Sequence, residues 1–138
     1  MLKSQSKTRL VGANAPGIIS THGRCRLGFH PLPFFKEGKV GIVAKSGTLS
    51  YETVASTTRA GVGQSRAISV GGDVLAGTNF VDALKVFEND EYTEGIIMIG
   101  ELGGKAEIDA AEWIKEYKRR TANPKCGNSY LSFDEMLT

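Results

Sequence analysis

Six consecutive residues, Gly95-Ile96-Ile97-Met98-Ile99-Gly100, carry no polar side chain. So short a run, flanked by glycine, reads as a strand covered on both faces, as in a parallel sheet beneath helices. Two related runs come before it. Residues 39–45 place the β-branched Val40, Ile42 and Val43 together, and residues 65–70 hold Ala67, Ile68 and Val70.

Each run is followed by a helical pattern. The first helix starts near Leu49, where Ser46 or Thr48 can cap it, and Gly61 or Gly63 can end it. The second follows Gly77-Thr78-Asn79 and spaces Phe80, Ala83, Leu84 and Phe87 helically. The third spans about 106–120, with Ala110, Ile114 and Tyr117 on one side. Strand and helix alternate three times, which predicts an α/β fold with a parallel sheet and crossover helices. Neither end joins this alternation. Residues 1–38 hold the short apolar piece Arg9-Leu10-Val11-Gly12 and a loop with Pro16, Pro31 and Pro33. Beyond Pro124 the pattern calls for another strand, but residues 126–138 are polar and poorly strand-like.

In a parallel sheet the segments after the strands gather at one edge, where open α/β folds bind ligands. Here they are Lys45-Ser46-Gly47-Thr48, Gly71-Gly72-Asp73 and Gly100-Glu101-Leu102-Gly103-Gly104. Glycine lets a ligand approach the backbone, and the helix after Ser46 offers unpaired amides and its positive dipole end. Three such loops together point to an anion site for phosphate or carboxylate. No glycine loop precedes Lys45-Ser46, so a Walker A motif is excluded, and no G-x-G-x-x-G follows a strand.

With 138 residues, 41% of them hydrophobic and 23% charged, the chain can build one domain with a real core. A net charge of +2 is too mild to argue for nucleic acid, and no apolar run approaches a membrane span. Cys25 and Cys126 lack metal-ligand spacing and read as free thiols, and no metal site is expected. His22 and His30, in the proline-rich loop, read as surface histidines. Trp113 reads as a packing residue, and Lys118-Arg119-Arg120 as cations complementing a helix dipole. The basic start, residues 1–9, is too short to read as a targeting segment.

The motifs resemble those of the succinyl-CoA ligase (succinyl-CoA synthetase) α-subunits. The matching blocks are Gly12-Ala13-Asn14-Ala15-Pro16-Gly17-Ile18-Ile19, the stretch 41–52, Gly71-Gly72-Asp73 with 77–82, and 94–104, covering roughly residues 7–125. ATP-citrate lyases share a weaker version. The resemblance implies a flavodoxin-like doubly wound sheet, incomplete at both ends. Residues 1–38 would be a remnant of the coenzyme A-binding domain (that domain's last strand around residues 9–12) with its linker, 39–125 part of the ligase domain, and 126–138 a divergent tail. It implies an acid–thiol ligase that makes succinyl-CoA reversibly from succinate, coenzyme A and ATP or GTP, with Mg, through a phosphohistidine in the tricarboxylic acid cycle. A β-subunit would be the partner, no cofactor would be covalently bound, and the compartment would be the mitochondrial matrix in a eukaryote or the cytoplasm otherwise.

By the same resemblance Ser46, Gly47 and Thr48 open the helix that cradles the phosphohistidine. Glu101 orients the histidine ring, and Asn14, Ser46 and Tyr51 lie near the carboxylate substrate. The histidine itself, expected in a Gly-His-Ala-Gly context, does not occur in this sequence. Ala13 and Ala15 stand where the family usually has proline and cysteine, and Lys45 where it more often has arginine. The chain alone would therefore not turn over. The competing expectation is a non-catalytic anion-binding or subunit-interaction module that keeps the same loops.

Overall fold

The computed structural model describes residues 4–120. Within them the chain runs β1 (Gly17–Ser20), β2 (Cys25–Gly28), β3 (Glu37–Ala44), α1 (Gly47–Arg59), β4 (Gln64–Ser69), α2 (Phe80–Glu88), β5 (Gly95–Ile99) and α3 (Ala106–Arg120). The five strands form one sheet in the order β2-β1-β4-β3-β5. Strands β4, β3 and β5 are parallel, with Val43 level with Ile68 on one side and Met98 on the other.

Alternation along β3 decides what each face buries. Ile42 and Ala44 join Ile19, Val54, Ala67 and Ile99 beneath α1. Val43 points the other way, into a larger core with Ile68, Phe80, Leu84, Phe87, Ala110 and Ile114 beneath α2 and α3. Helices thus cover both faces, and the parallel part is doubly wound as expected. A side chain at Gly41 would meet the Phe87 ring at 2.7 Å, so the missing Cβ makes room for that ring against the sheet.

The helix starts follow from local chemistry. Ser46, not Thr48, caps α1, its hydroxyl accepting the Leu49 amide at 3.3 Å. Asn79 and Asp82 form a reciprocal capping box on α2. Helix α1 itself buries only Ser50 and Val54. Polar contacts supplement that thin apolar face: the fully buried Gln64 donates to the Val54 carbonyl at 3.1 Å and to the Thr57 and Thr58 hydroxyls at 2.6 and 3.0 Å.

Three expectations need correction. The segment before residue 39 does not stand outside the sheet: β1 and β2 form an antiparallel hairpin, and β1 pairs antiparallel with β4, so the sheet is mixed. Residues 9–12 form no strand. Instead, the Leu10 and Gly12 carbonyls accept the Thr78 hydroxyl and the Gly77 amide, at 2.6 and 2.7 Å. The histidines are not surface groups. His30 is fully buried, its Nε2 on the Gly17 carbonyl at 3.1 Å, between the rings of Phe35 and Tyr51. His22 stacks on Tyr92 with centroids 4.1 Å apart and meets the Gly38 carbonyl at 2.9 Å. Cys25 is a free, exposed thiol, and Trp113 packs against the larger core and stacks on Tyr117. Cys126 and the expected divergent tail, 126–138, lie outside the described residues.

Candidate functional site

Helix α1 leaves β3 toward one face and α3 leaves β5 toward the other, although β3 and β5 are neighbours. The crevice between their carboxyl ends is therefore the switch point of the sheet, where such folds bind ligands. The loops after β3, β4 and β5 all open there. So does the N-terminal segment, whose residues 10–17 lie across the loops. A Cβ built on Gly71 would strike the Ala13 carbonyl oxygen at 2.0 Å, and one on Gly47 would touch Pro16 at 3.5 Å.

The structure brings several expected site residues together. A Cβ on Gly72 would lie 3.1 Å from Glu101 Oε2 and 3.9 Å from Asn14 Nδ2, so the carboxylate, the amide side chain and bare backbone meet at one point. Asn14 takes a positive φ of 52°, which asparagine tolerates better than most residues, and it is exposed. Ser46 uses an oxygen lone pair for its cap and keeps its O–H proton for a ligand. Gly47 and the exposed Thr48 form the first positions of α1. Tyr51 stands apart: its ring packs edge-on against buried His30, with centroids 6.0 Å apart. Neither histidine joins the group. His22 is tied to Gly38, near the opposite end of β3.

One participant was missed by the sequence reading. Glu107, in the first turn of α3, accepts from Lys45 Nζ at 2.7 Å and from the Glu101 backbone amide at 3.0 Å, both through Oε1. Burial pushes its carboxyl upward, but the Lys45 hydrogen bond, the Glu101 and Glu107 amides and the Lys45 charge outweigh that and hold it below the usual carboxylate range. The only sequence signal was an acid at a helix start, which is commonplace. Beside this pair a cavity of about 590 Å³ opens between the loops, lined among others by Lys45, Gly72, Asp73, Asn79, Phe80 and Lys105. The Lys45 ammonium lies 5.9 Å from the Phe80 ring centre at its wall. Among the described residues no group of three or more His, Cys, Asp or Glu side chains could hold a metal ion, and no helix is long and apolar enough to cross a membrane.

The arrangement offers an anion α1's first amides and hydroxyls, with the Glu101 carboxylate beside Gly72 able to accept an N–H. Residues 43–126 match the family model described as CoA-ligase. The chain is 53% identical over 109 residues to the succinate–CoA ligase [ADP-forming] subunit alpha of Staphylococcus aureus, covering 79% of this chain and 36% of that protein. The same figure holds over 110 residues for the protein of that name from Staphylococcus epidermidis, covering 80% and 36%. The chain thus spans about a third of the length of these relatives. The ATP citrate lyase of Methanosaeta concilii shares the fold, with a TM-score of 0.74 over 90% of this chain and 20% of that one, at 24% identity. The dinucleotide-forming acetyl-coenzyme A synthetase 1 of Candidatus Korarchaeum cryptofilum superposes with a TM-score of 0.60 over 77% and 23%, at 27% identity.

Proposed function

This chain belongs to the CoA-ligase family, and from that premise we propose that it supplies the phosphoryl-handling part of a succinate–CoA ligase α-subunit. The complete enzyme would join succinate to coenzyme A reversibly, using ATP or GTP with Mg, in the tricarboxylic acid cycle. The single observation that carries this reading is the convergence of the α1 start, Gly72, Asn14 and Glu101 at the switch point.

The roles follow from the chemistry of each group. The amides at Gly47 and Thr48, with the Ser46 and Thr48 hydroxyls, would stabilise a phosphoryl group at the positive end of α1. Glu101 would accept one N–H of a histidine ring and so leave the other nitrogen bare for phosphoryl transfer. Asn14 would bond the carboxylate of succinate, and Tyr51 would bound that subsite. Neither His22 nor His30 is placed for this work, so the ring must come from outside these 138 residues. A β-subunit would bring the nucleotide.

The test is thermal melting with inorganic phosphate or sulfate. A ligand of the folded state adds about 2.7 kcal/mol at a hundred times its Kd, so the melting temperature should rise. In Gly47→Val the γ-methyls press on Pro16, and the increment should vanish. An increment equal to that of the parent chain would place the anion elsewhere. The purified chain should also take no acid-labile phosphate from labelled ATP or GTP, with or without a β-subunit. Label on His22 or His30 would refute the assignment of roles.

A further inference from the structure

The loops after β3 and β5 share a fastening that the roles above leave unused. Lys45 opens one loop and Glu101 lies at the start of the other; the Lys45 ammonium and the Glu101 backbone amide both donate to one oxygen, Glu107 Oε1, at 2.7 and 3.0 Å. The ion pair is half-buried: the Lys45 and Glu107 side chains are 15% and 27% exposed. Its reach is also fixed by shape. A Cβ on Gly100 would lie 2.8 Å from Glu107 Cγ, so the bare backbone at Gly100 is what lets the glutamate stem pass.

We propose that Glu107 is the positioning residue of this site: one carboxylate oxygen joins the two loops, so that Glu101 stays against Gly72 and Asn14 while the α1 start stays open to an anion. This deepens the anion-site reading above and rests on it. Two consequences separate the idea from a simple charge effect. A negative charge near an anion site repels the anion, so its removal alone should tighten phosphate binding. A lost fastening should weaken it instead, because loops held in place bind better than loops free to move. The depressed carboxyl agrees with a group whose ionised form is the one being used.

The experiment compares the full chain with Glu107→Ala, Glu107→Gln and a charge control on the exposed Glu112, Glu112→Gln. Inorganic phosphate is titrated at constant ionic strength, and amide resonances are followed by NMR as pH falls. Glu107→Ala should weaken phosphate binding about tenfold, the lower end of what losing a group that orients a metal ligand costs. Glu107→Gln keeps an acceptor oxygen and should restore most of it, and Glu112→Gln should change nothing. In the parent chain the Glu101 amide proton should carry a carboxyl titration that Glu107→Gln removes. Tighter phosphate binding in both Glu107 variants, or a Glu101 titration unchanged in Glu107→Gln, overturns the proposal. If Glu107→Ala does not fold, the Gln variant and the Glu101 titration decide alone. If the parent chain binds no phosphate, the anion-site reading fails, while the titration still tests the fastening.

Discussion

Gly71 and Gly72 are adjacent, yet they are glycine for different reasons. Gly71 has φ +81°, and a Cβ there would sit 2.0 Å from a backbone oxygen. Gly71→Ala therefore combines left-handed strain with a clash that no rotamer relieves, and should cost about 2–3 kcal/mol in chemical denaturation. At Gly72 the nearest atom is the end of the Glu101 side chain, 3.1 Å from the built Cβ, and that side chain can swing away. Gly72→Ala should stay within about 0.5 kcal/mol of the parent, while shifting the Asn14 side-chain amide and Glu101 resonances. A loss as large as that of Gly71→Ala would mean that Glu101 is locked, not merely placed.

Helix α1 shows what happens when an element lacks a wide apolar face. Its hold on the sheet depends heavily on Gln64, which bonds three groups of the helix from β4. Gln64→Leu keeps the bulk but removes bonds to the buried Val54 carbonyl and the half-buried Thr57 and Thr58 hydroxyls, a loss of about 1–3 kcal/mol. The variant should lose stability on that order, and hydrogen exchange should speed up most at residues 54–58. Equal protection in the variant would show that Val54 and its neighbours suffice. The same contrast explains which elements were legible. Strands β3, β4 and β5 announced themselves by apolar runs, and α2 by four spaced apolar residues, because packing imposed those patterns. The β1–β2 hairpin imposed none: among its eight residues only Ile19 is buried, and β2 is exposed throughout. Backbone pairing with β4, which leaves no trace in side-chain type, holds it in the sheet. At the site, the glycine and hydroxyl loops could be read from composition. Glu107 could not, because its meaning comes from Lys45 and Glu101, brought to it only by the β3–β5 pairing.

On the scale of the whole molecule, the buried His30 and the half-buried Glu107 link folding to pH. Burial holds the His30 ring below its ordinary value; the Gly17 bond opposes this, and the Arg26 charge adds to it. The unfolded chain therefore protonates at this position first, near the usual value of about 6.5. Stability from this source is complete above that value and is lost as pH falls toward the lower folded value. Glu107, also lowered when folded, contributes above the usual carboxylate value and loses its share further down in acid. Urea midpoints should thus decline in two steps on acidification, and His30→Met should flatten the upper one. An unchanged upper step would assign it to another group. The placement of the hairpin has a consequence in time as well as in space. During synthesis β1 and β2 are complete at Gly28, but the strand that takes the hairpin into the sheet, β4, begins at Gln64, roughly three dozen residues later. At ~5–20 residues per second the ribosome takes about 2–7 s to cover that distance. For those seconds a two-stranded ribbon, marginal in water by itself, must wait with Ile18 and Ile19 uncovered by β4, so the nascent chain offers a chaperone or a neighbouring ribosome's product a sticky segment before it has a sheet to put it in.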